Sequence, residues 1–208
     1  MKINRFITFE GIDGSGKTTQ IKLLKRRLEL NNQKVMVLRE PGGTELTESL
    51  RNIILDKSLK ISNKSEMLLF LAARADLVNE VIRPVLGKDH FVVCDRYVDS
   101  TLAYQGYGRD IDLDIINDLN EFVTSSLLPS VTFFLDINIK TMYHRRKNMN
   151  DDRMEKSGSK FFEKVRKGYL NLDKNNDRFV KIDASDSIES IHESIWNYVK
   201  VMFKDDIK

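Results

Sequence analysis

Arg5-Phe6-Ile7-Thr8-Phe9-Glu10 is a short apolar run that passes straight into Gly11-Ile12-Asp13-Gly14-Ser15-Gly16-Lys17-Thr18. The second stretch satisfies G-x-x-x-x-G-K-[ST], the signature of a phosphate-binding loop, and a helical pattern follows it, with Ile21, Leu24 and Leu28 apolar between basic residues. Strand, glycine loop and amphipathic helix in that order let successive backbone N–H groups converge on a phosphate at the positive end of a helix dipole. Lys17 is placed to reach the β and γ phosphates and the Thr18 hydroxyl to ligate magnesium, while Gly11, Ile12, Asp13, Gly14, Ser15, Gly16 and Thr19 complete the ATP-binding stretch.

Outward from this loop the chain alternates. Short apolar runs at Val35 to Arg39, Phe91 to Asp95, Val131 to Asp136 and Phe179 to Asp183 each end in a charged residue. Between them, helical spacing occupies Leu46 to Leu55, Glu66 to Leu86, Leu113 to Phe122, Ile139 to Arg146, Phe161 to Leu172 and Ile188 to Phe203. The pattern predicts an α/β fold of the P-loop NTPase type: a five-stranded parallel sheet with helices on both faces and right-handed crossovers. Ligand then belongs beyond the carboxyl ends of the strands, where Glu10, Arg39, Glu40, Asp95, Arg96, Asp136 and Asp183 share a rim. The polar stretch from about 147 to 160 buries little and reads as a solvated loop or a short mobile lid over bound nucleotide.

A length of 208 residues with 41% hydrophobic content supports one domain over residues 1–208. Lys and Arg total 34 against 31 Asp and Glu, so bulk charge gives no reason to expect nucleic-acid or membrane binding. With one cysteine, Cys94, no internal disulfide forms, and with no signal peptide and no apolar run of membrane length the expectation is a cytoplasmic protein.

Two further constellations carry chemistry. Cys94-Asp95-Arg96-Tyr97 puts a carboxylate for magnesium and a guanidinium for phosphate oxygens at a strand end beside the loop. Phe70 and Arg74, four residues apart, share a helical face and form an aromatic plate with an adjacent donor, although core packing explains Phe70 alone as well. Arg39-Glu40-Pro41-Gly42-Gly43-Thr44 is a turn leading to a Thr44 helix cap, with Thr47 a weak partner for a capping box. Asn63-Lys64-Ser65-Glu66 imitates a guanine-reading motif but ends in Glu and enters a helix, and Asp95-Arg96-Tyr97-Val98 lacks the D-x-x-G of a GTPase switch. His90, His144 and His192 have no metal-site spacing.

These motifs, with Ser100-Thr101 and Tyr104-Gln105-Gly106 following Asp95-Arg96-Tyr97, resemble the thymidylate kinase family over residues 3 to about 185. The resemblance implies a single nucleoside monophosphate kinase domain transferring the γ-phosphoryl group of ATP to dTMP in the dTTP synthesis pathway, with Mg2+, and a homodimer. It implies that Lys17, Arg96, Arg153 and Asp95 are catalytic and that Thr18 and Asp95 organise the metal. It further implies that Arg39 and Arg96 hold the acceptor phosphate, Phe70 stacks on thymine and Arg74 bonds its exocyclic oxygen. Ser100, Thr101 and Gln105 are implied as further base contacts, Tyr104 as a block at the sugar 2′ position, and Asp13 as the acceptor of the 3′-hydroxyl. Gly14 stands where one pattern of the family has arginine, which points to the bacterial pattern with basic residues in the lid. Asp152-Arg153-Met154-Glu155 then offers Arg153 to the transferring phosphates, ahead of Arg145 and Arg146.

Overall fold

Five strands, β1 (Phe6–Glu10), β2 (Val35–Arg39), β3 (Phe91–Asp95), β4 (Val131–Asp136) and β5 (Phe179–Asp183), form one parallel sheet in the order β2-β3-β1-β4-β5. The computed structural model describes residues 4–147, 153–154 and 157–207. β1 is central, paired with β3 (Ile7 opposite Val93) and with β4 (Phe9 opposite Phe133). Its five residues are all buried, as expected for a strand covered on both faces.

Alternation along the strands sorts the two layers. Phe9 meets Phe133, which meets Tyr198, and Phe91 meets Phe203, so one face packs on α9 (Ile188–Met202) and on α1 (Lys17–Leu30) through Ile21, Leu24 and Leu28. On the other face Phe6 packs edge-on to Tyr97 and Phe134 stacks on Tyr169 of α8 (Ser159–Lys174). That second face also carries Thr8, hydrogen-bonded to Thr132 at 2.8 Å, and Glu10. Polar residues on a buried sheet face need partners, and here the partners build the site.

The remaining helices are α2 (Glu45–Leu55), α3 (Asn63–Leu77), α4 (Arg83–Leu86), α5 (Val98–Thr101), α6 (Leu113–Thr124) and α7 (Ile139–Arg146). Thr44 and Thr47 form a full reciprocal capping box on α2, stronger than the sequence suggests. A π-helical turn, Val78–Ile82, joins α3 to α4 within the helix expected over 66–86. A second, Leu102–Gly108, extends α5, and no helix is expected there from the sequence. It is held by close packing on α8: a Cβ on Gly108 would lie 2.6 Å from the Phe161 ring, and one on Gly168 2.7 Å from the Tyr107 ring. Among the described residues no helix is long and apolar enough to cross a membrane. Of the segment read as a lid, 148–152 and 155–156, including Asp152 and Glu155, lie outside the described residues.

Candidate active site

The loop between β1 and α1 needs its glycines: Gly14 and Gly16 have φ of 75° and 95°, and Gly11, at 137°, would place a Cβ 2.5 Å from the Leu135 carbonyl. Lys17 is 6% exposed and its ammonium donates to the carbonyls of Gly11 (3.0 Å) and Ile12 (3.3 Å). Burial, then Arg96, lowers its pKa, while Asp95, Asp13 and Glu10 oppose the shift. Thr18 Oγ1 stands 3.4 Å from Asp95 Oδ2, and Asp95 Oδ1 is buried with no hydrogen-bond partner. A hydroxyl and a carboxylate oxygen with spare lone pairs are the oxygen donors that magnesium takes beside phosphates. This cavity is lined also by Arg39, Arg51, Arg145 and Arg146.

A second cavity adjoins the first and shares Asp13, Glu40, Arg51 and Arg96 with it. Its other walls include Phe70, Arg74, Ser100, Thr101, Tyr104 and Gln105, so the structure gathers in one place residues spread from 13 to 105 in sequence. Arg96 occupies the junction. Its backbone is left-handed, φ 74°, a conformation worth about 1–3 kcal/mol of strain for a side-chain-bearing residue, and its N–H is held by the Phe9 carbonyl at 3.0 Å. The guanidinium donates to Asp13 Oδ1 (2.8 Å), Tyr104 Oη (3.0 Å), Ser100 Oγ and Tyr169 Oη (3.2 Å each). Burial would raise the Asp13 carboxyl, but Arg96, Lys17 and Arg146 overcome it and hold it at about 2, ionised and ready to accept.

Behind Arg96 lies Glu10, fully buried. It accepts from Tyr97 N–H (2.8 Å), Ser100 Oγ (2.6 Å) and Tyr169 Oη (2.7 Å). Burial, with Asp99 adding to it, pushes its carboxyl up to about 7 against the pull of Arg96 and the two hydroxyls.

Three residues expected in the site from the sequence have protein partners in this structure. Arg74 lines the second cavity but is no free donor: Nε and Nη2 grip Glu40 at 2.5–3.2 Å, Nη2 also reaches the Tyr97 carbonyl, and Nη1 serves Thr101 and Asn120. All five N–H groups are thus engaged by protein. Arg153 is absent from the phosphate-loop cavity and pairs instead with Glu66 at 2.7 Å, its Nε on the Ile54 carbonyl. Arg145, with Nη1 3.2 Å from the Gly14 carbonyl, and Arg146 are the basic residues beside the loop. Arg39 borders that first cavity, not the second, and is paired with Glu48 at 3.0 Å. Of the expected rim, Asp136 is bound by Arg166 and Asp183 by Ser185, both outside the two cavities.

Arg51, Tyr169 and Glu66 were not singled out from sequence. Arg51 sits on α2, lines both cavities and donates to the Pro41 carbonyl at 2.9 Å. Only its basic character on an otherwise ordinary amphipathic helix signalled it.

A phosphate loop facing a carboxylate–arginine strand end, with an aromatic-walled cavity opening onto the same arginines, defines a phosphotransferase of the nucleoside monophosphate kinase class. The thymidylate kinase family model matches residues 9–195. Similar chains include thymidylate kinases of Thermosipho africanus, 48% identical over 94% of this chain and 97% of that one, and of Kosmotoga olearia, 44% identical over 91% and 92%. The crystal structure of thymidylate kinase from Ehrlichia chaffeensis superposes with a TM-score of 0.78 at 38% identity, covering 95% of this chain and 99% of the other. The chain belongs to the thymidylate kinase family.

Proposed function

We propose that the second cavity holds dTMP, with its phosphate at the junction formed by Asp13, Arg51 and Arg96, facing a γ-phosphate of ATP cradled by the loop. The reaction itself, phosphorylation of dTMP to dTDP with ATP, follows from family membership. The observation that carries the site assignment is the sharing of those residues by the two cavities, because transfer requires donor and acceptor phosphates to meet in line at one point.

In this reading Lys17 and the loop N–H groups neutralise the donor phosphates, and Arg145 and Arg146 border them from α7. Thr18 and Asp95 would hold Mg2+, which supplies charge neutralisation across the phosphates when bound. Arg96 is the catalytic cation best fixed for the task, tied to Asp13 and backed by Ser100 and Tyr169, with Arg51 and Arg39 nearby. Phe70 stacks on the base, Tyr104 crowds the sugar beside Asp13, and Asp13, ionised, accepts from the 3′-hydroxyl. Thr101 and Gln105 shape the base edge, and Arg74 supports the floor through Glu40. A homodimer belongs to the proposal as well: Leu68 on α3 with Ile115 and Phe122 on α6 are 54%, 53% and 79% exposed, an apolar set suited to a second copy. So does a cytoplasmic setting.

The test is to offer dTMP, dUMP, dCMP, dGMP and dAMP separately with ATP and Mg2+ and to measure ADP formed. Strong preference for dTMP is expected. Preference for another monophosphate, or ADP formation indifferent to all five, overturns the acceptor assignment.

A further inference from the structure

Two consecutive residues of β1 grip the turn that follows β3. The Phe9 carbonyl accepts the Arg96 N–H at 3.0 Å and Glu10 Oε1 accepts the Tyr97 N–H at 2.8 Å, so the left-handed Arg96, φ 74°, is pinned on both sides. The other oxygen of the same carboxylate takes two hydroxyls: Glu10 Oε2 accepts from Ser100 Oγ at 2.6 Å and from Tyr169 Oη at 2.7 Å. Each hydroxyl has one proton, and the shorter bond to a carboxylate claims it, which leaves lone pairs on both oxygens to accept from Arg96 Nη1 at 3.2 Å. The two oxygens also lie 2.9 Å apart, closing a ring of contacts behind the guanidinium. Glu10 is 0% exposed and lines neither cavity, so it acts only through these neighbours.

We propose that Glu10 is a positioning residue for phosphoryl transfer: it fixes the backbone turn at Arg96 and aims the Ser100 and Tyr169 lone pairs at Nη1, which holds the other terminal nitrogen at the junction of the two cavities. The role rests on the reading that donor and acceptor phosphates meet at that junction. Nη2 is the nitrogen that donates to Asp13 and Tyr104, both on the wall of the second cavity. An amide in place of the carboxylate reverses the relay. A glutamine still accepts the Tyr97 N–H through its oxygen, but its nitrogen only donates, which turns both hydroxyl protons toward an arginine that has no lone pair to receive them. Misplacing a group that acts in the transition state lowers turnover more than it weakens ATP binding, because the phosphate loop holds ATP through Lys17 and its own backbone.

The test measures kcat, the KM for ATP and the thermal midpoint of Glu10→Gln, Tyr169→Phe, their double variant and Arg96→Ala. Assays run well below the lowest midpoint and at pH 8.5, above the value of about 7 to which burial raises the Glu10 carboxyl. Tyr169→Phe keeps the ring that stacks on Phe134 at 5.2 Å and removes only the hydroxyl. Glu10→Gln is expected to lower kcat about ten- to hundredfold with the KM for ATP within about twofold. Adding Tyr169→Phe to it should lower kcat by less than about twofold more, because the two residues act through one contact. An unchanged kcat in Glu10→Gln, a raised KM for ATP, or multiplying effects of the two changes overturns the proposal. If Arg96→Ala lowers kcat about a thousandfold and Glu10→Gln leaves it unchanged, the positioning role fails while the junction stands. If Arg96→Ala leaves kcat unchanged, the reading of the junction itself fails. Should Glu10→Gln not fold, Tyr169→Phe decides: a lowered kcat at an unchanged midpoint and KM for ATP upholds the relay, and an unchanged kcat overturns it.

Discussion

Replacing Arg74 by Met keeps an apolar stem in place and removes the charge. Arg74 and Glu40 are 1% and 4% exposed with 2.5 Å between Nη2 and Oε2, and the guanidinium also serves Thr101, Asn120 and the Tyr97 carbonyl. Removing one member of such a pair leaves the other charge buried and unmatched, an effect of about 3–5 kcal/mol. For a chain of this size each kcal/mol shifts the midpoint by roughly 2–4 °C, so Arg74→Met should unfold about 6–20 °C earlier. The sign of its pH dependence is fixed by Glu40. Burial already outweighs Arg74 and raises the Glu40 carboxyl above its ordinary 4.5, and without Arg74 it rises further. A carboxyl titrating higher in the folded state than in the unfolded one takes up protons on folding, so stability falls as pH climbs between the two values. The deficit of Arg74→Met is therefore greatest near neutrality and shrinks toward pH 5, and Glu40→Gln in the same background should recover part of it. Thermal unfolding followed by circular dichroism at pH 5.5 and 7.5 reads both effects. A deficit equal at the two pH values and untouched by Glu40→Gln would refute the reasoning.

Glu10, raised to about 7 by burial and Asp99, makes the native chain itself lose stability as pH rises from about 4.5 to 7, with no further loss from this group above that; Glu10→Gln should flatten this part of the unfolding profile, checked by denaturant midpoints across the window. Asp95→Asn weakens the carboxylate beside Thr18, so the Mg2+ concentration for half-maximal turnover should rise about tenfold or more, seen in a magnesium titration at fixed ATP. Gly168→Ala forces a Cβ to 2.7 Å from the Tyr107 ring and should destabilise by about 1–3 kcal/mol, measured by chemical denaturation, because α8 and the Leu102–Gly108 turn have no slack between them.

What the sequence showed and what it hid divide along contact order. The three inner strands are legible because burial on both faces demands continuous apolar runs, the less covered edge strands β2 and β5 still keep short apolar runs, and each of the five falls within a residue of its expected bounds. The phosphate loop is legible because its function is carried by eight consecutive residues. The Val98–Gly108 helix is not: Ser100, Thr101, Gly106 and Gly108 weaken helical propensity, and the turn is secured by packing against Phe161 and Tyr169 far along the chain. In the sequence Glu10 is one of five rim carboxylates, yet what sets it apart is the Tyr169 hydroxyl 159 residues later. Arg74 shows the limit most plainly. Helical spacing places it beside Phe70, but spacing along one helix carries no information about Glu40, 34 residues earlier, to which its Nε donates in this structure. The same holds for Arg153: its motif suggests a cation for phosphates, and its partner in this structure, Glu66, stands in the sequence only as the end of a false guanine-reading motif. A charged side chain's type announces what it can bind, while its buried counter-ion decides where it is held, and that counter-ion is a property of the fold.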